Sequence, residues 1–205
     1  MSDQSTFSRR DVVAGLAAAT AGAFLQPSAA RASEAGKLAT AARSTARAAG
    51  TRYQPKIYTA HELATVTALV DEIIPKDAKS GPATEAGVPE FMDTMLDLEP
   101  NMRTAHRGGL AWLDHECRRR YAKDFVGCTT TERHAVLDDI AYPAKAKPEF
   151  SSGVAWFNSF RDFTCTGFFT SEMGVTDIGY MGNVPVMQWD GCPPENYRRL
   201  GTQKP

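Results

Sequence analysis

Residues 59–75 read TAHELATVTALVDEIIP, and this stretch sets the pattern for the fold. Thr59 stands three residues before Glu62, which is the spacing of a capping box at the start of an α-helix. Pro75 closes the segment because proline cannot continue a helix. Between these ends the large apolar side chains recur at helical spacing: Leu63, Val66, Leu69, Val70, Ile73 and Ile74. The stretch therefore predicts an amphipathic helix with one face against a core.

The chain beyond residue 75 repeats this helical periodicity, and no run of alternating residues indicates a strand. A second capping box joins Thr129 to Glu132. The further helices are expected from Pro89 to just before Pro100, over about 101–125, from about 130 to near Pro143, and over about 152–165. The pattern predicts an all-α domain over residues 56–205, built as a small helical bundle.

The end of the chain, from about residue 166, differs from the helices before it. Aromatic and methionine side chains stand among glycines without a helical period, so we expect an extended, irregular tail. Such a tail either contacts a partner through its large side chains or wraps over its own helices. The candidate partner contacts are Phe168, Phe169, Tyr180, Met181 and Trp189.

Residues 1–32 have the pattern of an export signal. Arg9 and Arg10 precede an apolar run, rich in small residues, that is too short for a stable membrane span. We interpret the segment as a twin-arginine signal peptide, with a general secretory signal or a retained anchor as alternatives. Cleavage is expected after Ala32, or alternatively after Ala30, and would release the chain into the periplasm.

Two basic stretches leave a structural and a functional interpretation open. Residues 33–55 are rich in Ala, Thr, Ser and Arg, so we expect either a solvated low-complexity linker or a basic arm that lies on a partner. Arg118, Arg119 and Arg120 form a basic triplet on the longest predicted helix. The triplet is either a solvated helix face or a contact to a partner.

Composition excludes several classes of function. The net charge is −1 and the basic residues form no continuous stripe, so nucleic-acid binding is not expected. No apolar stretch after the leader is long enough to cross a membrane, so any membrane association would be indirect.

Known catalytic and cofactor motifs do not occur in the sequence. There is no H-E-x-x-H, G-x-S-x-G or G-x-G-x-x-G pattern, so we expect no catalytic, cofactor-binding or metal-binding residues in this chain. The sequence favours an interaction subunit that is not an enzyme by itself. The alternative is a stand-alone periplasmic binding protein or enzyme, with a pocket lined by Trp112, Trp156 and the phenylalanine face of the last helix.

Four cysteines could form disulfides in an oxidising compartment. Cys165 ends a predicted helix and Cys192 lies in the tail, so a bond between them would pin that tail. A bond between Cys117 and Cys128 is geometrically awkward for a helix but possible. The connectivity therefore stays open at this point.

Several sequence blocks together resemble one protein family. Residues 67–75 read TALVDEIIP, residues 86–91 read AGVPEF and residues 167–172 read GFFTSE, and Gly179-Tyr180 and residues 189–193 (WDGCP) follow. These blocks are similar to the gluconate 2-dehydrogenase subunit 3 family, and the resemblance covers about residues 57–195.

The resemblance implies a small subunit without chemistry of its own. Its partner would be a large flavoprotein of the glucose-methanol-choline oxidoreductase (GMC) type, which holds FAD and oxidises a hydroxyl of a sugar, sugar acid or glycoside. A cytochrome c subunit carrying haem c would often take the electrons onward. The small subunit would carry the leader for both chains, so that the flavoprotein loads FAD before export. The sugar, the stoichiometry and the electron acceptor are left open.

Overall fold

The computed structural model describes residues 28–180 and, further along, residues 182, 187, 191–192, 194–199 and 201. The regular secondary structure in these residues is helical throughout, which confirms the all-α prediction. Three short 3₁₀ turns lie at Pro100–Met102, Phe125–Gly127 and Pro148–Phe150. The α-helices are α1 (Ala29–Ala48), α2 (Ala60–Ile73), α3 (Ala83–Ala86), α4 (Val88–Leu98), α5 (Arg103–Tyr121), α6 (Thr130–Ala141), α7 (Ser151–Phe169), α8 (Glu172–Asp177) and α9 (Pro194–Arg199).

Both predicted capping boxes form and set the starts of α2 and α6. The backbone N–H of Thr59 donates to Glu62 at 2.8 Å, and the Glu62 N–H donates to the Thr59 hydroxyl at 3.2 Å. The same reciprocal pair joins Thr129 and Glu132, at 2.7 and 3.3 Å. Each box satisfies N–H groups that a helix start otherwise leaves without a partner.

Helix α7 lies at the centre of the bundle and packs against α2, α4, α5 and α6. Its phenylalanine side chains lie at the centre of the hydrophobic core, where Phe160 and Phe163 are each 1% exposed. The Phe163 ring meets Phe91 of α4 edge-on, with ring centroids 5.6 Å apart. Burial of these aromatic side chains supplies a large part of the driving force for folding.

The crossing of α5 and α7 depends on the absence of a side chain at Gly109. The Trp156 indole covers this position so closely that a Cβ there would lie 2.0 Å from the indole nitrogen. That nitrogen donates to the carbonyl of His106 at 3.2 Å, which fixes the ring in place. Gly108, the preceding residue on α5, faces open space.

Helix α1 corrects the expectation of a solvated low-complexity linker over residues 33–55. Residues 29–48 are helical, and Ala32, Ala35 and Ala39 are buried in the contact with α4. Alanine is the strongest helix former, and its small side chain lets two helices approach closely. Arg43 ties the far end of α1 down by donating to the Glu85 carbonyl at 3.0 Å.

A buried carboxylate holds the connection between α1 and α2. Asp93 of α4 is fully buried and accepts four hydrogen bonds from residues 53–58. The donors are the Tyr53 hydroxyl at 2.8 Å and the backbone N–H groups of Lys56, Ile57 and Tyr58 at 2.8, 3.0 and 3.0 Å. A buried charge is tolerated only where such donors replace water. The segment that enters α2 is therefore fixed to α4.

Next to this cluster, Tyr58 and His106 form a buried polar pair. The Tyr58 hydroxyl and His106 Nε2 are 2.7 Å apart, and the His106 ring stacks on Phe160 at 5.4 Å between centroids. Burial lowers the pKa of His106 from its ordinary value of 6.5 to about 4. The imidazole is consequently neutral in the folded protein at neutral pH.

We expect Gly109→Ala to destabilise the domain by about 1–3 kcal/mol, because the new methyl group overlaps the buried Trp156 ring. The control Gly108→Ala should instead stabilise it by about 0.5–1 kcal/mol, since alanine favours the helix and nothing opposes it there. Urea unfolding measures both. Equal stabilities of the two variants would contradict the close contact of α5 with α7.

His106 should make the stability depend on pH between about 6.5 and 4. In this window the unfolded chain binds the His106 proton and the folded chain does not, so the free energy of unfolding falls as the pH falls. The loss levels off below about pH 4 and reaches about 3 kcal/mol at most. Denaturant unfolding across this pH range measures the slope.

The matched variants are His106→Gln, which keeps a neutral partner for Tyr58, and His115→Gln at an exposed position of the same helix. His106→Gln should flatten the pH dependence, whereas His115→Gln should keep the wild-type slope. A wild-type slope in His106→Gln would show that the buried imidazole is not its source.

Candidate functional site

Three large, exposed apolar side chains lie close together in the sequence, at the end of α7 and just after α8. Phe169 is 40% exposed, Ile178 56% and Tyr180 55%. These three residues are called the α7–α8 patch below. Large apolar side chains with this exposure are what a protein-binding surface presents to a partner. Met187, 97% exposed, lies further along the tail.

A tight turn between α7 and α8 determines which aromatic ring faces outward. The Ser171 hydroxyl caps α8 by accepting from the Gly174 N–H at 3.1 Å. Gly174 then approaches the Phe168 carbonyl so closely that a Cβ would lie 2.1 Å from the oxygen. The turn buries Phe168 and leaves Phe169 on the outside, with the two rings perpendicular at 5.2 Å.

The five predicted partner contacts therefore divide into three groups. Phe169 and Tyr180 are exposed, as a contact residue must be. Phe168 is 1% exposed and belongs to the core, so its assignment to a partner surface was wrong. Met181 and Trp189 lie outside the described residues.

A groove of about 1300 Å³ adjoins the patch and runs between α1, the start of α4 and the α7–α8 turn. Its walls are mostly small residues, such as Ala32, Gly36, Gly87 and Gly167, together with Phe91 and Met173. Charged side chains also line the groove: Lys37, Arg43, Lys79, Glu85 and Glu172. Sequence reasoning missed this groove because one wall is α1, which was expected to be a linker. Shallow walls of small residues can admit large side chains of another chain.

The basic triplet of α5 is paired within this chain. Arg119 and Arg120 both contact the buried Glu116 at 2.6 Å, and Arg120 also pairs with Asp139 at 2.8 Å. Hydrogen bonds from Arg119, and then from Arg120, lower the pKa of Glu116 to about 2. Arg118 pairs with Asp124. The triplet therefore stabilises the end of α5, and nothing in its geometry favours a partner contact.

A sequence profile described as Gluconate 2-dehydrogenase subunit 3 matches residues 60–191, which is more than half of the chain. The chain belongs to the gluconate 2-dehydrogenase subunit 3 family. The match begins at the first residue of α2 and ends in the tail, so it contains the α7–α8 patch and leaves α1 outside. Neither the comparison with curated proteins nor that with solved structures found a match.

The side chains of Trp112, Trp156 and the α7 phenylalanines pack against one another and against their neighbours in this subunit 3 chain. Trp156 packs on Phe160 at 5.3 Å, and Trp112 meets Phe150 edge-on at 6.4 Å. Trp112 also covers Gly153 of α7. The space between Trp112, Trp156 and the phenylalanine face, where a pocket was expected, is thus occupied by side chains of the core.

Two of the histidines pair with carboxylates on other helices. His61 of α2 contacts the buried Asp114 at 2.5 Å, and His134 of α6 contacts Glu72 at 2.8 Å. Within the described parts of the chain, no three His, Cys, Asp or Glu side chains are grouped as metal ligands. In the same residues, no helix has the length and apolar character of a membrane span.

All four cysteines are free thiols in the structure, so the expected Cys165–Cys192 bond is not made. Cys165 is half-buried on α7, and Cys192 lies in the tail. Cys117 and Cys128 are instead buried together in the core. The sequence could not show that the loop carrying Cys128 packs against the helix carrying Cys117, and the spacing of the two cysteines did not reveal it.

Proposed function

We propose that this chain is a non-catalytic small subunit of a periplasmic dehydrogenase complex, in which it binds a larger FAD-containing subunit of the GMC type. Membership of the subunit 3 family is the observation that carries the proposal. The oxidised hydroxyl belongs to a sugar, a sugar acid such as gluconate, or a glycoside. The chemistry and the FAD reside on the large subunit, and a cytochrome c subunit with haem c receives the electrons.

The α7–α8 patch and the neighbouring groove form the proposed contact surface. Phe169 and Tyr180 are large and exposed, and Phe169 directly precedes the turn that Ser171 and Gly174 hold. Rigid aromatic side chains make strong anchors because little conformational entropy is lost when they bind. Met181 and Trp189, which lie outside the described residues, are further proposed contacts.

The proposed second role is escort during export. Arg9 and Arg10, which lie outside the described residues, would direct the chain to the twin-arginine route for folded proteins. A flavoprotein must bind FAD before it leaves the cytoplasm, so a leader on the small subunit can serve both chains. Cleavage after Ala32 would remove the first turn of α1 but keep Ala35, Ala39 and Arg43 as its contacts with the body.

Export of the large subunit should require the arginine pair of this chain. We expect Arg9→Lys/Arg10→Lys to retain both subunits in the cytoplasm, because the twin-arginine signal is read by residue type and not by charge alone. The control is Arg198→Lys/Arg199→Lys, an adjacent and exposed arginine pair at the other end of the chain. Cell fractionation with immunodetection of both subunits measures the result.

Periplasmic large subunit in cells that lack this chain would contradict the escort role. Unchanged export in the Arg9→Lys/Arg10→Lys variant would contradict the assignment of the route and leave the binding role standing.

Binding to the large subunit should depend on the α7–α8 patch. We expect Phe169→Ser/Tyr180→Ser to weaken the complex by about tenfold or more for each aromatic side chain lost. The control Val126→Ser/Tyr142→Ser changes side chains of closely similar exposure, 38% and 56%, elsewhere on the surface. Titration of the purified large subunit measures both affinities, and equal affinities would exclude the patch as the interface.

A further inference from the structure

Two buried cysteines come together where α5 ends and α6 begins. Cys117 lies on the inner face of α5 and is 0% exposed, and Cys128 follows the 3₁₀ turn Phe125–Gly127 and is 5% exposed. They are eleven residues apart in the sequence. The chain must therefore reverse direction within this short interval to bring them together.

The reversal is built into the backbone and is held by side chains. Ala122 closes α5 in the left-handed region with φ of 55°, which turns the chain back. Asp114 then accepts the Phe125 N–H at 2.9 Å, and Arg133 donates to the Phe125 and Val126 carbonyls at 3.0 and 2.8 Å. The loop is consequently clamped to α5 on one side and to α6 on the other.

These hydrogen bonds fix the loop that carries Cys128 against the helix that carries Cys117. Cys117 is three residues after Asp114 on a helix, and Cys128 is three residues after Phe125 at the end of a 3₁₀ turn. Cys117 and Cys128 both belong to the hydrophobic core, and their side chains lie within hydrogen-bond reach of each other. Burial, and then the neighbouring Cys128 thiol, raise the pKa of Cys117 to about 12.

We propose that Cys117 and Cys128 form a disulfide when the chain meets an oxidising compartment, which rests in part on the proposed export. The oxidant is a protein disulfide or oxidised glutathione. Once the loop opens, the Cys128 thiolate attacks the oxidant's disulfide and releases one of its sulfurs. The Cys117 thiolate then attacks the Cys128 sulfur and releases the other. Two S–H bonds and the oxidant's S–S bond break, one S–S bond forms here, and the oxidant leaves with both protons and both electrons.

The bond would lock the α5–α6 loop, whose closure is otherwise held by hydrogen bonds, ion pairs and the burial of Phe125. It would also remove two free thiols from the core of an exported protein. The folded chain must open this loop to react, because neither thiol is accessible in the closed structure. Oxidation of folded protein is therefore expected to be slow.

Trypsin distinguishes the possible pairings in a single digest. Cys117 falls in the peptide 108–118 and Cys128 in the peptide 124–133, whereas Cys165 and Cys192 share the peptide 162–198. The full-length chain is taken from the exported fraction and, separately, from the cytoplasm with and without oxidised glutathione. Each sample is denatured without reductant, alkylated with iodoacetamide, digested and analysed by mass spectrometry.

The proposal predicts a linked pair of peptides 108–118 and 124–133 in the exported and glutathione-treated samples. Alkylated Cys117 and Cys128 in both samples would overturn it, as would a link from either one to peptide 162–198. If the bond forms with glutathione but the chain occurs only in the cytoplasm and is reduced there, the pairing stands and the proposed export fails.

Thermal unfolding provides a second readout. Reduction should lower the Tm of the oxidised full-length chain by roughly 5–10 °C. Cys128→Ala should abolish the effect of reductant, whereas Cys165→Ala, a change at the half-buried thiol of α7, should preserve it. A Tm of the wild-type chain that is unaffected by reductant would count against the bond.

Discussion

The buried Asp93 carboxylate is the constraint on which the arrangement of the first helices depends. A charge in the core is stable only if hydrogen bonds replace its lost water, and residues 53–58 supply four of them. Satisfying Asp93 fixes the path from α1 to α2 and places Tyr58 against His106. The alanine face of α1 can then lie on α4, and one wall of the groove is formed. A single polar residue in an apolar helix face thus positions three helices.

Close backbone contacts produce the surface to which we assign function. Gly174 packs on the Phe168 carbonyl, so α8 folds back directly over the end of α7. The turn buries one ring of an adjacent pair and exposes the other. The aromatic side chain offered to a partner is therefore held by the same packing that completes the core. This connects the stability of the bundle to the proposed role of a subunit that binds and escorts a larger flavoprotein.

The amphipathic helices could be predicted because capping boxes, prolines and large apolar residues mark them directly. Helix α1 could not, since it lacks the spaced large apolar side chains that mark the other helices, and its buried face consists of Ala32, Ala35 and Ala39. Asp93 gave one signal, a charge among Phe91, Met92, Met95 and Leu96, but its donors lie 35–40 residues away in the sequence. The neighbourhood of Cys117 and Cys128 depends on a chain reversal at Ala122, a residue type that rarely adopts positive φ. A periodic pattern of apolar residues cannot predict such long-range contacts and irregular turns.

The most direct test of the account is purification of the affinity-tagged full-length chain from cells that also produce its large dehydrogenase subunit. Size-exclusion chromatography with an absorbance spectrum of each fraction reports both mass and flavin. The account predicts that this chain elutes together with a larger, flavin-containing chain in a fixed ratio. Elution of the chain alone and without flavin, while the flavoprotein elutes separately and fully active, would contradict it.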